Sequence, residues 1–136
     1  MSTLKPEAGI TEKVTVNMNV VELGYIDLLV SEGYYANRSD FIKAAVRRQL
    51  DVNTDDIKNV AERRRSMADF YVGVCGFSAK SLERLRHRGE KKRIVVVGMF
   101  VLSDDIPLSL LEDTIESIQV YGVCKCSDEV KKRYML

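Results

Sequence analysis

Tryptophan is absent from this chain, histidine occurs once, proline twice and cysteine three times. Each scarcity removes a class of function. With His87 alone, in the basic run LERLRHRGEKKR, no nucleophile-base-acid arrangement can be assembled. A zinc or nickel site draws several His or Cys ligands together, and this chain has no such set, so no metal is expected. Cys75, Cys124 and Cys126 lack the paired spacing of a disulfide scaffold and suit a reducing compartment. Cys124 and Cys126 fall on one face of a strand, which makes them core residues or, as the rival reading, a redox pair. No Walker loop or dinucleotide fingerprint is present; Gly73 and Gly76 stand in strand-like sequence. No cofactor and no enzymatic activity are expected.

Long apolar runs are also missing. The longest, residues 94–102, is too short to span a bilayer, and MSTLKPEAG lacks the apolar stretch of a signal peptide. The expectation is a cytoplasmic protein. Net charge is only +1, but it is unevenly spread. Residues 1–52 carry six Lys/Arg against seven Asp/Glu, residues 53–93 eleven against six, and residues 94–136 four against seven.

What is present begins at Lys13. In KVTVNM, Val14, Val16 and Met18 alternate with Lys13, Thr15 and Asn17, the pattern of a half-buried strand. At Asn19 the period changes to that of a helix. Asn19 suits the N-cap, Leu23, Ile26, Leu29 and Val30 recur at helical spacing, and Gly33 suits the helix end. A second helix follows from about Arg38 or Ser39, with Phe41, Ile42, Ala45, Val46 and Leu50 as its apolar positions. One strand and two short helices cannot bury a core. Two copies can, if their strands pair antiparallel across a two-fold axis and four helices cover the apolar face. Lys13, Thr15 and Asn17 of both chains then lie on the uncovered face, with side chains suited to guanine, thymine and adenine edges in a major groove.

This stretch, residues 12–52, resembles the ribbon-helix-helix family of bacterial and archaeal DNA-binding proteins, the CopG/Arc/MetJ type. The strand KVTVNM, the helix closing at Glu32-Gly33 and the helix NRSDFIKAAVRRQL carry the resemblance. It implies a homodimer on double-stranded DNA, with Lys13, Thr15 and Asn17 reading bases and Asn37, Arg38 and Ser39 anchoring a phosphate at a helix N-terminus. The low histidine count separates the chain from the nickel-responsive branch.

Residues 1–11 read as a flexible tail. A linker helix is expected over 53–69, opened by Thr54, Asp55 and Asp56, with Arg63, Arg64 and Arg65 projecting on several sides as a solvated face or a second phosphate contact. Residues 70–136 contain a repeat. Gly73, Gly98 and Gly122 fall 25 and 24 residues apart, each after a β-rich run and each followed by a candidate helix, over 79–88, about 107–117 and 128–135. That period suits a leucine-rich-like coil with a small parallel sheet and all helices on one side. The fold class is therefore α+β.

In the sheet, Tyr71, Val96, Val120, Cys75, Phe100, Cys124, Phe77, Leu102 and Cys126 face the helices, against Leu82, Leu85, Leu111, Ile115 and Val130. The opposite face carries Val72, Val74, Val97, Met99, Val101, Tyr121 and Val123 with no local helix to cover it. Such an apolar face marks a contact surface, for a second copy, another protein or the linker helix. The function expected is a sequence-specific transcriptional regulator, a repressor acting as a dimer or higher oligomer. Two rivals stand beside it: the antitoxin of a toxin-antitoxin pair, and a structural module whose ribbon serves only dimerisation.

Overall fold

The computed structural model describes residues 10–136; most of the tail expected over residues 1–11 lies outside the described residues. It contains helices α1 (Val20–Ser31), α2 (Arg38–Val52) and α3 (Thr54–Arg65), strand β1 (Asp69–Phe77), α4 (Ala79–His87), β2 (Lys92–Leu102), α5 (Leu108–Thr114), β3 (Ile115–Lys125) and α6 (Asp128–Tyr134). Two compact units divide these elements. One is Lys13–Val60; the other is Ala61–Leu136, joined by residues 10–12.

In the first unit, local chemistry sets the helix ends. The Asn19 side chain accepts from the backbone N–H of Val21 and Glu22 and so starts α1. Gly33, at φ +85°, ends it with the Tyr34 N–H donating to the Leu29 carbonyl and the Gly33 N–H to that of Val30, the two bonds of a Schellman motif. Asn37 caps α2 by accepting from the Asp40 N–H. Hydrophobic packing adds little. Ile26 is the one buried residue of α1, and α2 buries none. Tyr35 and Phe41 meet edge to face at 4.9 Å, but Val46 and Leu50 are more than half exposed. Residues 10–19 form no strand within the single chain, and all their side chains are exposed.

The second unit has a complete core. Its sheet is parallel throughout, in the order β1-β2-β3. The register sets Gly73 beside Gly98 and Gly98 beside Gly122, Cys75 beside Phe100 and Phe100 beside Cys124. Val96, Phe100, Leu82 and Leu111 are fully buried, and Leu85, Ile115, Val130 and Tyr134 complete the same cluster with Cys75, Leu102 and Ile118. The Tyr134 hydroxyl donates to the Ile115 carbonyl at 2.9 Å and ties α6 to the start of β3.

Two helix limits differ from the sequence expectation. The linker helix ends at Arg65 because the chain must extend into β1 at Asp69. The helix expected over 107–117 stops at Thr114, whose hydroxyl turns back onto the Leu110 carbonyl at 2.6 Å. Ile115 therefore opens β3 instead of lying on a helix. Pro107 holds the N-cap position of α5, and no side chain caps it.

The glycine row is a steric requirement. Gly73, Gly98 and Gly122 have φ of +110°, +133° and +128°, values that L side chains rarely adopt. A Cβ at Gly98 would run into the carbonyl oxygen of Gly73, and one at Gly122 into that of Gly98. Gly98→Ala should thus lower stability by at least about 2 kcal/mol. Gly24→Ala, in mid-helix with nothing near its would-be Cβ, should raise it by roughly 0.5–1 kcal/mol. Chemical denaturation of both variants checks the contrast; equal effects would show that the row carries no strain.

Candidate nucleic-acid interface

The expected base readers lie in a segment that forms no strand in the single chain. Lys13, Thr15 and Asn17 are exposed, but so are their apolar alternates, with Val14 at 77% and Val16 at 73% accessible. With neither its polar nor its apolar alternates covered, the segment has no intrachain packing to hold it in any one conformation.

The expected phosphate anchor lies at the start of α2. There the Asn37 side chain is occupied as a cap, accepting from the Asp40 N–H at 2.8 Å, while a carboxylate oxygen of Asp40 accepts from the Ala36 N–H at 3.0 Å. Ser39 is exposed. Arg38 is engaged in a way that residue types alone did not signal. Its Nε and one terminal nitrogen donate to the two carboxylate oxygens of Asp27 on α1, both at 2.7 Å. This fork spans the turn between α1 and α2. The hydrogen bond from Arg38 holds the Asp27 carboxyl below its ordinary range, and the Arg38 guanidinium is raised in turn. Both groups are solvent-exposed, so the pair orients the arginine more than it stabilises the fold. The second terminal nitrogen of Arg38 makes no hydrogen bond among the described residues.

On the second unit, the face of the sheet away from α4, α5 and α6 is covered in part. Ala61 of α3 packs with Phe70 and Val95 in a small separate cluster, flanked by Ala68 and Val72. Arg64 donates to the Gln119 side chain at 2.6 Å and lies over the Tyr121 ring, 5.5 Å from its centre. Arg65 lies over Phe70 at 4.9 Å. Two of the three arginines, which the sequence left between a solvated face and a phosphate contact, therefore hold the end of α3 on the sheet. Beyond them the face opens. Val97 and Val101 are 38% accessible and Tyr121 48%, while Val72, Val74, Met99 and Val123 are half-buried. Residues 10–12 and Val74, Met99 and Val123 line a groove of about 180 Å³ there.

His87 is exposed at the end of α4, beside Lys80, Glu83, Arg84 and Arg88. Among the described residues no three His, Cys, Asp or Glu side chains converge as metal ligands would, and no helix is long and apolar enough to cross a membrane.

No curated protein and no solved structure matches the chain. A family model does, over residues 9–131, which reaches from the exposed alternating segment through all three strands of the sheet. The resemblance read from residues 12–52 thus extends into the second unit, and the chain belongs to the Ribbon-Helix-Helix transcriptional regulator family.

Proposed function

We propose that the protein is a sequence-specific DNA-binding repressor that works as a homodimer or a higher oligomer. The observation that carries this is the exposure of Val14, Val16 and Met18 in strict alternation with Lys13, Thr15 and Asn17. Pairing this segment with its copy buries the first row under four helices and leaves the second as a two-stranded ribbon of the width a major groove admits. Lys13, Thr15 and Asn17 then read base edges. The start of α2 lies against the DNA backbone, where free N–H groups favour an anion. Asn37 shapes that helix end, Ser39 adds a hydroxyl, and Arg38 offers the nitrogen that Asp27 leaves free. Occupancy of the operator excludes other proteins from it.

In this proposal Val72, Val74, Val97, Met99, Val101, Tyr121 and Val123 form the surface through which dimers join one another. Adjacent dimers on one DNA then bind at high effective concentration. Selection of bound sequences from a random DNA pool tests the regulator itself; recovery of no common motif would overturn it.

Three substitutions divide the roles. Asn17→Ala should relax the preference at one base pair of the selected site, costing about 1–3 kcal/mol against the preferred sequence and little elsewhere. Arg38→Ala should weaken binding to every sequence and reduce the salt dependence by about one ion. Asp27→Asn keeps the guanidinium and should leave that slope unchanged; a matching loss in both variants would make Arg38 a brace for the turn instead of a phosphate contact. Met99→Asp with Val123→Asp should reduce the molar mass in solution to that of a plain dimer. An unchanged mass would remove the sheet from the assembly.

A further inference from the structure

Cys124 and Cys126 place their sulfur atoms 3.1 Å apart. Cys124 lies in β3, the last strand of the sheet, and Cys126 directly follows it; both are half-buried. Cys124 also lines an open groove of about 590 Å³ with residues 116–122 and 133–136. Cys75 differs in every respect. It is buried, it lies on β1, and Phe100 of β2 stands between it and Cys124 in the register. Strands about 4.8 Å apart set these two cysteines at about 10 Å, beyond any disulfide.

We propose that Cys124 and Cys126 form a reversible intrachain disulfide by exchange with the disulfide of a small thiol such as glutathione. Two residues of extended backbone span about 6.6 Å, which lies inside the Cα separation a disulfide accepts. The sulfurs need only close the last ångström. In the first step Cys124, as thiolate, attacks one sulfur of glutathione disulfide through the groove. An S–S bond forms, the glutathione S–S bond breaks, and one glutathione leaves as thiolate and takes up a proton. In the second step the Cys126 thiolate attacks the Cys124 sulfur and expels the second glutathione. The two protein thiols lose two electrons in total, and one glutathione disulfide is reduced to two thiols.

Burial, with the hydrogen bond to Cys124 next, raises the Cys126 thiol above its ordinary range. The second step therefore quickens as pH rises, because only the thiolate attacks. The ring closed is the shortest a strand allows. A cross-link stabilises through the loop it closes, so this one adds little to folding and is readily reduced. That separates it from a structural disulfide.

The test equilibrates the full-length protein with glutathione mixtures of increasing oxidised fraction, then quenches, alkylates and maps it by mass spectrometry. The peptide with Cys124 and Cys126 should lose two hydrogens and both alkylation sites, regain them in reducing mixtures, and leave Cys75 blocked until the protein unfolds. Cys126→Ser should stop at a glutathione adduct on Cys124, and Cys124→Ser should give no intrachain bond. The proposal fails if both thiols stay alkylatable in the most oxidising mixture. It fails equally if chain-to-chain dimers are the product, or if Cys75 reacts as readily as the pair.

Discussion

The N-terminal unit does not bury enough apolar surface to hold itself together, and most of what the protein is follows from that shortfall. Ile26 is its one buried side chain on α1, and α2 contributes none. Burying a side chain of that size is worth about 1.5–3 kcal/mol. Fixing the backbone of each residue costs about 1–2 kcal/mol. Good caps at Asn19 and Asn37 and the Schellman turn at Gly33 define where the helices begin and end, but they do not close that gap. What remains is an apolar surface made of Val14, Val16, Val46 and Leu50, all more than half exposed. Two copies sharing one core is the assembly proposed to cover it, and the DNA-reading ribbon is the outer side of that core. In that proposal folding, dimerisation and recognition are one event, so protomer concentration governs all three.

The second unit stands in contrast. Its three strands pair without a partner, its helices cover one face, and its core includes side chains with no accessible surface at all. Of the eleven Lys/Arg of residues 53–93, four meet nearby acids. Arg86 meets Asp113, Arg88 meets Glu90, Lys92 meets Asp69 and Arg93 meets Glu116. Pairs like these add little stability at an exposed surface. Their effect is to spend the positive charge locally. The arginines at the end of α3 are likewise used on Tyr121, Gln119 and Phe70.

Much of this was legible in residue order. The change of period at Asn19 and the helix-ending Gly33 depend on neighbours a few positions apart, and the 25- and 24-residue glycine spacing repeats one such short pattern three times. Local patterns of that kind survive whatever the rest of the chain does. The repeat alignment also placed Cys75, Phe100 and Cys124 side by side, which is their register in the sheet. The end of α5 was not legible: Ile115 continues the helical spacing of Leu108 and Leu111, and only the pairing of β3 with β2 makes it extended.

By itself the sequence determined the helix ends at Asn19 and Gly33 and the three strands of the sheet, because caps, turns and periodicity act over a single turn or strand. Only the tertiary structure decided that Arg38 is held by Asp27, that Arg64 and Arg65 brace α3 on the sheet, and that Cys124 and Cys126 touch while Cys75 is shut away. These contacts join residues by the distance between folded surfaces. Nothing in residue type or spacing sets that distance until the backbone is in place.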